Sequence, residues 1–517
     1  MASKTTDVFQ DRFGPSYRWL LTLTAMIGNI ALILSSTIIN VAIPEIMGAF
    51  GVGQGEAQWL SAGFLATMTV AMLLNAWMIS AIGKRNTYFA AMGIFVGGSI
   101  LGVVSPNFDS LVFSRILQGA GAGLIHPLAL QVIYEIFPPE QRGRAMGFFG
   151  FGIVLAPALG PAFGGILVDA FDWRAVFYMV IPFCVIGALM AAVFMPPREV
   201  ENKRPQMDWS GLILVSIFMF SLLSALSNGS RDGWGSDQIL AYFCVSLISL
   251  VGFVIWESIT VQPMLNLKLF TNIKFAAGCA LSFVWGAGNF GLWYIVPLFV
   301  QIVQGYTPTK AGFLLMPAGL LLAFIFPLTG RISDWITPRI PILVGLFMTA
   351  YSSFLMASAD VNTSFWLFAW WLIVGRVGLG FVFPPLTVGS MRALSSEQVG
   401  QGAGMMSFTR QLGGAFGVCL LATFVDGRVA HYGEAYIATQ TAANSATNEF
   451  LRTLQTYLGH AGIPEAFQLP TAIQQLGQAI FTQATMLGYR EGFLFVAVVF
   501  FAAMIPGILL GKGKSKK

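Results

Sequence analysis

The residues best suited to chemistry in this chain are a few charged side chains that interrupt long apolar runs. Arg115, Arg376 and Arg410 each stand inside such a run, and His126 follows Arg115 by eleven residues. Eleven helical steps of about 100° return to within about 20° of the starting face, so Arg115 and His126 are predicted to line one strip of a central cavity. Histidine titrates near neutral pH, whereas arginine does not. His126 is therefore either a proton carrier or a hydrogen-bonded packing residue, and Arg115 is a structural or electrostatic charge.

The 23 acidic residues lie in loops or at the ends of the apolar runs, and none stands at the centre of a run. The titratable candidates besides His126 are therefore Glu135, Asp169 and Asp426. Glu135 stands about 200° around its helix from Arg115, which counts against a place in the same cavity. A permanent cation in an apolar cavity needs a buried counter-charge. The distribution of charge therefore favours neutral or weakly acidic amphiphiles over permanent cations as ligands.

These side chains must be positioned by membrane helices. Only 10% of the 517 residues are charged and 56% are hydrophobic, whereas a soluble chain carries about 25% charged residues. A membrane helix needs about 20 mostly apolar residues. The sequence contains fourteen such runs and predicts an all-α integral membrane protein in a lipid bilayer; the runs lie near 19–42, 57–79, 87–105, 110–134, 145–168, 175–195, 210–228, 238–256, 275–301, 311–329, 340–358, 364–389, 404–425 and 492–511.

The basic residues give the orientation. With the N-terminus inside, 19 of the 28 Lys and Arg residues fall in inside segments, 6 fall outside and 3 lie within spans. Inside loops of membrane proteins carry the excess of Lys and Arg, so both termini are predicted to be cytoplasmic. The net charge of +5 is then explained by the basic residues that set the membrane orientation. Because the basic residues are scattered through short loops, no nucleic-acid partner is expected.

Two loops repeat the same pattern. The loop "AWMISAIGKR" (Ala76–Arg85) aligns without gaps with "GRISDWITPR" (Gly330–Arg339), and places Ser80 on Asp334. Spans 1–6 and 9–14 therefore form two related halves with spans 7 and 8 inserted, an architecture of rocking transporters. The predicted segments are a cytoplasmic tail at 1–18, a six-helix bundle at 19–195, two inserted helices and a linker at 196–258, a second six-helix bundle at 259–511 and a basic tail at 512–517.

Seven motifs in a fixed order carry a family resemblance. They are "LSSTIINVAIP" (Leu34–Pro44), "RILQGAGAG" (Arg115–Gly123), "APALGPAFGG" (Ala156–Gly165), "DWSG" (Asp208–Gly211), "GYTPTKAG" (Gly305–Gly312), "FTRQLGGAFG" (Phe408–Gly417) and "QATMLGYREGF" (Gln483–Phe493). With these motifs the chain resembles the major facilitator superfamily, specifically its fourteen-helix drug:proton antiporter family of the EmrB/QacA type. The resemblance implies a multi-pass protein of the inner (cytoplasmic) membrane that exports amphiphilic small molecules by alternating access, driven by protons. A dedicated exporter of one endogenous lipid, siderophore or metabolite is the alternative.

The resemblance also implies roles for particular residues. It links Arg115 to proton coupling, and Arg376 and Arg410 are further candidate cavity charges. The antiporter motif implies a gating role for Pro157, Gly160, Pro161, Gly164 and Gly165, and the repeated loops imply a conformational switch at Ser80, Gly83, Arg85, Gly330, Asp334 and Arg339. The chain departs from the family at Ser35 and Ser80, where an Asp is usual. The proton carrier is therefore sought elsewhere, at His126, Glu135, Asp169 or Asp426.

A substrate cavity in such a protein should be apolar with a few polar groups. A buried amide requires a partner, so each polar residue inside a span either joins helices or contacts a ligand. The candidates for the substrate cavity are Asn29, Ser35, Asn40, Gln58, Trp59, Gln131, Trp285, Asn289, Gln301 and Gln411.

The longest stretch outside the spans is 427–488, with apolar residues at helical spacing that predict two outward-facing helices. The resemblance implies that this loop docks a periplasmic adaptor, and a lid packed on the transporter itself is the alternative. No nucleotide-binding, zinc-protease or serine-hydrolase motif occurs, so neither an enzyme activity, a cofactor nor a metal is expected.

Overall fold

The computed structural model describes residues 13–197, 206–260, 263–395, 398–441 and 443–509. Within these ranges the chain forms fourteen long helices, as predicted. We label them α1 (Tyr17–Phe50), α2 (Trp59–Ile82), α3 (Lys84–Val104), α4 (Phe108–Ile136), α5 (Pro139–Ala170), α6 (Ala175–Phe194), α7 (Trp209–Asp232), α8 (Asp237–Ile259), α9 (Ile273–Ile302), α10 (Pro308–Trp335), α11 (Arg339–Met356), α12 (Phe365–Met391), α13 (Val399–Thr439) and α14 (Glu465–Ala502).

Most of the described helices are long enough to span a membrane. Thirteen described helical stretches are long and apolar enough to cross a membrane, and α5 contributes a shorter apolar stretch, Leu155–Ala170. Fourteen crossings in alternating directions put the start of α1 and the end of α14 on the same side of the molecule. We call this the terminus side and the opposite one the far side.

Local signals set several helix ends. Asn107 accepts a hydrogen bond from the backbone N–H of Ser110 at 2.9 Å and so caps the start of α4. Gly51 ends α1 with φ +66°, and Gly83 makes the sharp turn from α2 to α3 with φ +84°. Positive φ is easily adopted only by glycine, so these two positions tolerate no larger residue without strain.

The helices pack as two similar bundles. In α1–α6, helix α2 packs on α4, α3 on α4 and α1 on α5; in α9–α14, helix α10 packs on α12, α11 on α12 and α9 on α13. Helices α7 and α8 pack on each other, and α7 also contacts α2 and α13. The two bundles meet mainly where α5 packs on α10 and α2 packs on α13, and less extensively where α1 meets α9.

The far side carries a helical extension. Helix α13 continues to Thr439, a separate helix covers Ser445–His460, and α14 begins at Glu465. The turn between the last two of these helices contains Gly462, whose φ is +82°. The sequence predicted two helices within 427–488. The structure has the helix Ser445–His460 and the start of α14 there, and α13 also continues into this segment as far as Thr439.

Candidate functional site

A cavity of about 450 Å³ lies between the two bundles. Its walls come from both halves, and large apolar and aromatic side chains dominate them. The aromatic residues in the wall are Trp285, Phe290, Trp293, Phe326 and Phe383. Because Trp285 donates its indole N–H to the backbone oxygen of Leu379 at 3.1 Å, its ring is held in place beside the space. We call this space the central cavity.

A second cavity, of about 650 Å³, leads from the central cavity toward the terminus side. Its walls are the end of α2, the middle of α4, the start of α13 and residues Pro263–Asn266, which we call the connector. His126, Leu130, Ala403 and Ser407 belong to the walls of both cavities. Together the two spaces form a path from the centre of the protein to the terminus side.

His126 and Arg410 are the ionisable residues among the described walls of these cavities, and no carboxylate lines either one. Nδ1 of His126 lies 3.0 Å from Oδ1 of Asn29. This contact with the Asn29 amide fixes the orientation of the imidazole ring and uses one of its two nitrogens. His126 is therefore a titratable group held in a fixed orientation at the junction of the two cavities.

Arg410 presents an uncompensated positive charge to the central cavity. Its guanidinium carbon lies 4.9 Å from the centre of the Phe383 ring. It forms no hydrogen bond or ion pair with any residue in the described part of the chain. Gln411, the next residue, also lines this cavity. Its Nε2 donates to Sδ of Met68 at 3.6 Å, while its Oε1 is buried and has no hydrogen-bond partner among the described residues. Donors and an acceptor are thus available to a ligand.

Arg115 does not line either cavity, and the prediction that it shares a strip with His126 was wrong. It is 1% exposed and packs between α1, α2 and α4. Its Nε donates to the backbone oxygen of Leu60 at 2.8 Å, and its Nη1 donates to Ser35 Oγ at 2.9 Å and Gln118 Oε1 at 2.5 Å. The prediction considered the angle around the helix and not the distance along it. Eleven residues rise about 16 Å along an α-helix, which places Arg115 in the closed half of the protein, nearer the far side.

Arg376 occupies the matching position in the second bundle. It is 2% exposed, its Nη1 donates to Oδ1 of Asn289 at 2.6 Å, and its guanidinium lies 4.0 Å from the Trp293 ring centre. Arg376 itself is not among the residues that line the cavities, but Asn289 and Trp293 are. Arg376 therefore lies outside the cavity and positions two of its wall residues, Asn289 and Trp293.

Three of the ten predicted substrate-cavity residues, Trp285, Asn289 and Gln411, line the central cavity. Contact with a substrate stays a prediction for them. The other seven are not among the residues that line the cavities. Six of them, all except Trp59, form side-chain hydrogen bonds within the protein. Asn29 holds His126 and Ser35 holds Arg115.

Of the remaining five candidates, Asn40, Gln58 and Gln301 join helices, Trp59 packs within α2 and Gln131 lies on the surface. Oδ1 of Asn40 accepts from Ser61 at 2.7 Å. Nε2 of Gln301 donates to the backbone oxygen of Val41 at 3.1 Å and so ties α9 to α1 near the far side. Trp59 packs near Gly63. The contacts of Gln58 and Gln131 are described in the next two paragraphs.

Gln58 links three parts of the molecule on the far side. Its Nε2 donates to the backbone oxygen of Gly55 at 2.8 Å, to Ser227 Oγ at 3.0 Å and to Thr423 Oγ1 at 3.4 Å. Ser227 belongs to α7 and Thr423 to α13. This amide therefore joins the first bundle, the inserted helices and the second bundle.

Glu135 and Gln131 lie on the surface of α4 near the terminus side, away from the cavity walls. Glu135 forms an ion pair with Lys84 and accepts a hydrogen bond from Nε2 of Gln131 at 2.9 Å. The side chain of Glu135 is 47% exposed. A surface pair of this kind contributes only about 0–1 kcal/mol. The prediction of a cavity role for Gln131 was wrong, because it faces away from both spaces.

The small residues of α5 allow close packing on two sides. A Cβ on Gly160 would stand 2.6 Å from Thr37 Oγ1, and one on Gly164 would meet Ile38, both on α1. A Cβ on Gly165 would run into the backbone of Pro308, and Gly312 faces the backbone of Pro161 in the same way. Pro157 lines the central cavity. Helix α5 thus seals the far side against α1 and α10, and its gating role stays a prediction.

The repeated loops lie on the terminus side. Ser80 Oγ donates to the backbone oxygen of Ala76 at 2.8 Å, and the guanidinium of Arg85 lies 5.8 Å from the Phe89 ring centre. Gly330 stands in α10 with open space around it, and Arg339 is the first residue of α11. The side chain of Asp334 lies outside the described part of the structure. Their switching role stays a prediction.

Two acidic candidates lie near the far side. Oδ2 of Asp169 accepts from the backbone N–H of Thr309 at 2.8 Å, which ties the end of α5 to the start of α10. Asp426 is half-buried on α13, and its Oδ2 would stand 3.7 Å from a Cβ on Gly55. Neither lines the described cavities.

Sequence reasoning missed several wall residues. Phe326, Phe383, Thr387 and Ser407 line the central cavity. Nothing in an apolar run distinguishes a cavity face from a lipid face by composition, since lipid and cavity accept the same side chains. The nearest signal was the position of Ser407 just before the motif that contains Arg410.

The family model described as Major Facilitator Superfamily matches residues 25–418. The chain is 30% identical over 414 residues to the multidrug transporter protein MdtP of Bacillus subtilis, covering 80% of this chain and 76% of that one. It is 28% identical over 504 residues to the fatty acid resistance protein FarB of Neisseria gonorrhoeae, covering 96% and 97% respectively.

Solved structures share the fold. A bacterial homolog of the human lysosomal transporter Spinster, in an inward-facing and unoccupied conformation, superposes with a TM-score of 0.65 at 15% identity. The match covers 97% of this chain and 100% of that chain.

Proposed function

Since the chain belongs to the major facilitator superfamily, as its motifs predicted, we propose that it exports amphiphilic compounds across the cytoplasmic membrane in exchange for protons. Neutral and weakly acidic compounds are its favoured substrates, and permanent cations are not. The terminus side faces the cytoplasm, in agreement with the bias of Lys and Arg toward that side. Relatives whose names describe multidrug transport and fatty acid resistance support this choice of substrate class.

The observation that carries the proposal is the charge of the central cavity. Its walls are largely apolar and aromatic, and Arg410 is a cation without a partner among the described residues. A carboxylate head group can pair with Arg410 while its apolar body packs on the aromatic wall. A permanent cation would meet Arg410 and find no carboxylate on the described walls, so its desolvation would be uncompensated.

His126 is the proposed proton carrier. It borders both cavities, Asn29 fixes its ring, and Arg410 is the charged group that faces it across the central cavity. The apolar body of a bound amphiphile displaces water and disfavours the charged imidazolium. In the proposed exchange, substrate and the proton on His126 therefore occupy this part of the cavity alternately, which is the coupling that exchange requires.

Alternating access follows from the seam between the bundles. The seam is closed on the far side by α5 on α10 and by Gln58 and Gln301, while the path from the central cavity leads to the terminus side. Rocking of one bundle on the other would close this path and part the far-side contacts.

The far-side extension is the proposed docking element for a periplasmic adaptor. It presents apolar side chains to solvent, among them Phe450, Tyr457, Phe467 and Phe481. Exposed apolar patches of this kind mark interaction sites. Docking would continue the export path beyond the membrane.

Growth protection tests the proposed function. The chain is expressed in a bacterial host that lacks its own efflux pumps, and the cells are challenged with dodecanoic acid, chloramphenicol and tetraphenylphosphonium. We expect protection against the weak acid and the neutral compound and little against the permanent cation. Strong protection against tetraphenylphosphonium alone would contradict the proposal.

A further inference from the structure

The inserted helices carry a half-buried and a buried carboxyl group that the proposed export mechanism does not use. Asp208 caps the start of α7 on the terminus side. Its Oδ1 accepts from the backbone N–H of Gly211 at 2.9 Å and from the indole N–H of Trp256 at 2.7 Å. Glu257, near the end of α8, is 3% exposed, and its Oε2 accepts from the backbone N–H of Leu265 at 3.2 Å. Each carboxyl group therefore has one oxygen bonded and one left over.

The two remaining oxygens face the same small space. Oδ2 of Asp208 and Oε1 of Glu257 are both buried, and neither has a hydrogen-bond partner among the described residues. A Cβ atom on Gly211 would stand 2.6 Å from the first and 3.0 Å from the second. Gly211 thus keeps the space between the two carboxyl groups open, which gives the glycine of the "DWSG" motif a physical reason.

No basic side chain in the described part of the chain compensates the pair. The ion pairs of the described residues all involve other carboxylates. The 3-10 turn Leu267–Thr271, which contacts α8, contributes Lys268, and this side chain is exposed. Among the described residues, what faces the pair is therefore the Trp256 indole and two backbone N–H groups. Two ionised carboxylates this close together, without a cation among the described residues, repel each other strongly.

We propose that Asp208 and Glu257 bind one shared proton and so form a second protonation site, separate from the central cavity. The proton lies on Oδ2 of Asp208 or Oε1 of Glu257 and is donated to the other oxygen, which satisfies both buried atoms. One carboxyl group is neutral and the other carries the single negative charge.

The connector links this protonation site to the wall of the second cavity. Glu257 holds the N–H of Leu265, and the connector residues Pro263–Asn266 line the terminus-side cavity. While the proton is shared, α7, α8 and the connector are held together. When the proton is lost, repulsion separates the carboxylates and loosens the connector at the cavity wall.

Infrared difference spectroscopy of the full-length chain in lipid nanodiscs tests the proposal. A protonated carboxyl group gives a C=O stretching band that shifts in D2O and disappears on ionisation. We expect such a band in the wild type, with its loss on going from mildly acidic to mildly alkaline buffer. The band should be absent in both Asp208→Asn and Glu257→Gln, whose amides keep the shape of the side chains. The control Glu434→Gln, at an exposed position on the extension of α13, should retain it.

Several results would overturn the proposal. They are a wild-type spectrum without the band, survival of the band in either amide variant, or a stability that rises with the concentration of an added metal cation, which would place that cation between the oxygens. Gly211→Ala is a further variant, and its methyl group should shift or abolish the band. If no variant folds, the pH titration of the wild-type band decides. None of these measurements involves transport, so the export function and this site can fail independently.

Discussion

Replacing Arg410 by glutamine should separate acidic from neutral substrates. The guanidinium has no protein partner in the described part of the chain, so its removal leaves no buried carboxylate unpaired. A hydrogen bond to a charged group contributes about 1.5–3 kcal/mol, and about 1.4 kcal/mol corresponds to a tenfold change in affinity. We therefore expect the affinity for dodecanoate to fall by about 10- to 100-fold, while the affinity for chloramphenicol changes by less than about threefold.

Radioligand binding to the purified chain measures both affinities. Arg452→Gln is the matched control, because Arg452 is exposed on the far-side helix Ser445–His460 and its loss removes the same charge outside the cavity. The control should bind both compounds as the wild type does. Equal losses for both compounds in Arg410→Gln, or no loss for dodecanoate, would refute the reasoning that this cation selects acids.

Three further changes test other parts of the account. Gly165→Val should overpack the contact between α5 and α10 at a cost of about 1–3 kcal/mol and lower the export rate about tenfold. The control Gly48→Ala, at a position with open space around it, should export normally. Equal export rates in the two variants would argue against a seal on the far side. Ser35→Leu should lower the thermal unfolding midpoint, because a buried donor of Arg115 loses its acceptor at a cost of about 1–3 kcal/mol, and Ser35→Asp should not. Glu135→Gln should leave the pH profile of export unchanged, since an exposed ion pair contributes about 0–1 kcal/mol; a shifted profile would return this residue to the proton path.

The number and order of helices could be predicted because each span must bury its own backbone polar groups in lipid. That requirement makes length and apolarity sufficient signals, and one long helix was found for every predicted run. Helix ends were less predictable. Helix α1 runs to Phe50 rather than to residue 42, since the eight residues after the predicted end continue the same helix until Gly51 ends it.

The faces of the helices could be predicted only in part. His126 and Gln411 line the central cavity, yet Arg115 and Gln58 do not. A polar side chain in an apolar run needs a hydrogen-bond partner, but the sequence does not show whether that partner is a ligand or another helix. In Ser35 and Asn40 the partner is protein, and in Arg410 it is absent among the described residues.

Exchange of a substrate for protons through the central cavity is tested most directly in proteoliposomes. The chain is reconstituted with a pH-sensitive dye inside, the lumen is made acidic, and chloramphenicol is added outside. The account predicts that the compound enters while protons leave the lumen, and that collapse of the pH gradient or His126→Asn abolishes both movements. Entry of the compound without any movement of protons, or unchanged exchange in His126→Asn, would contradict it.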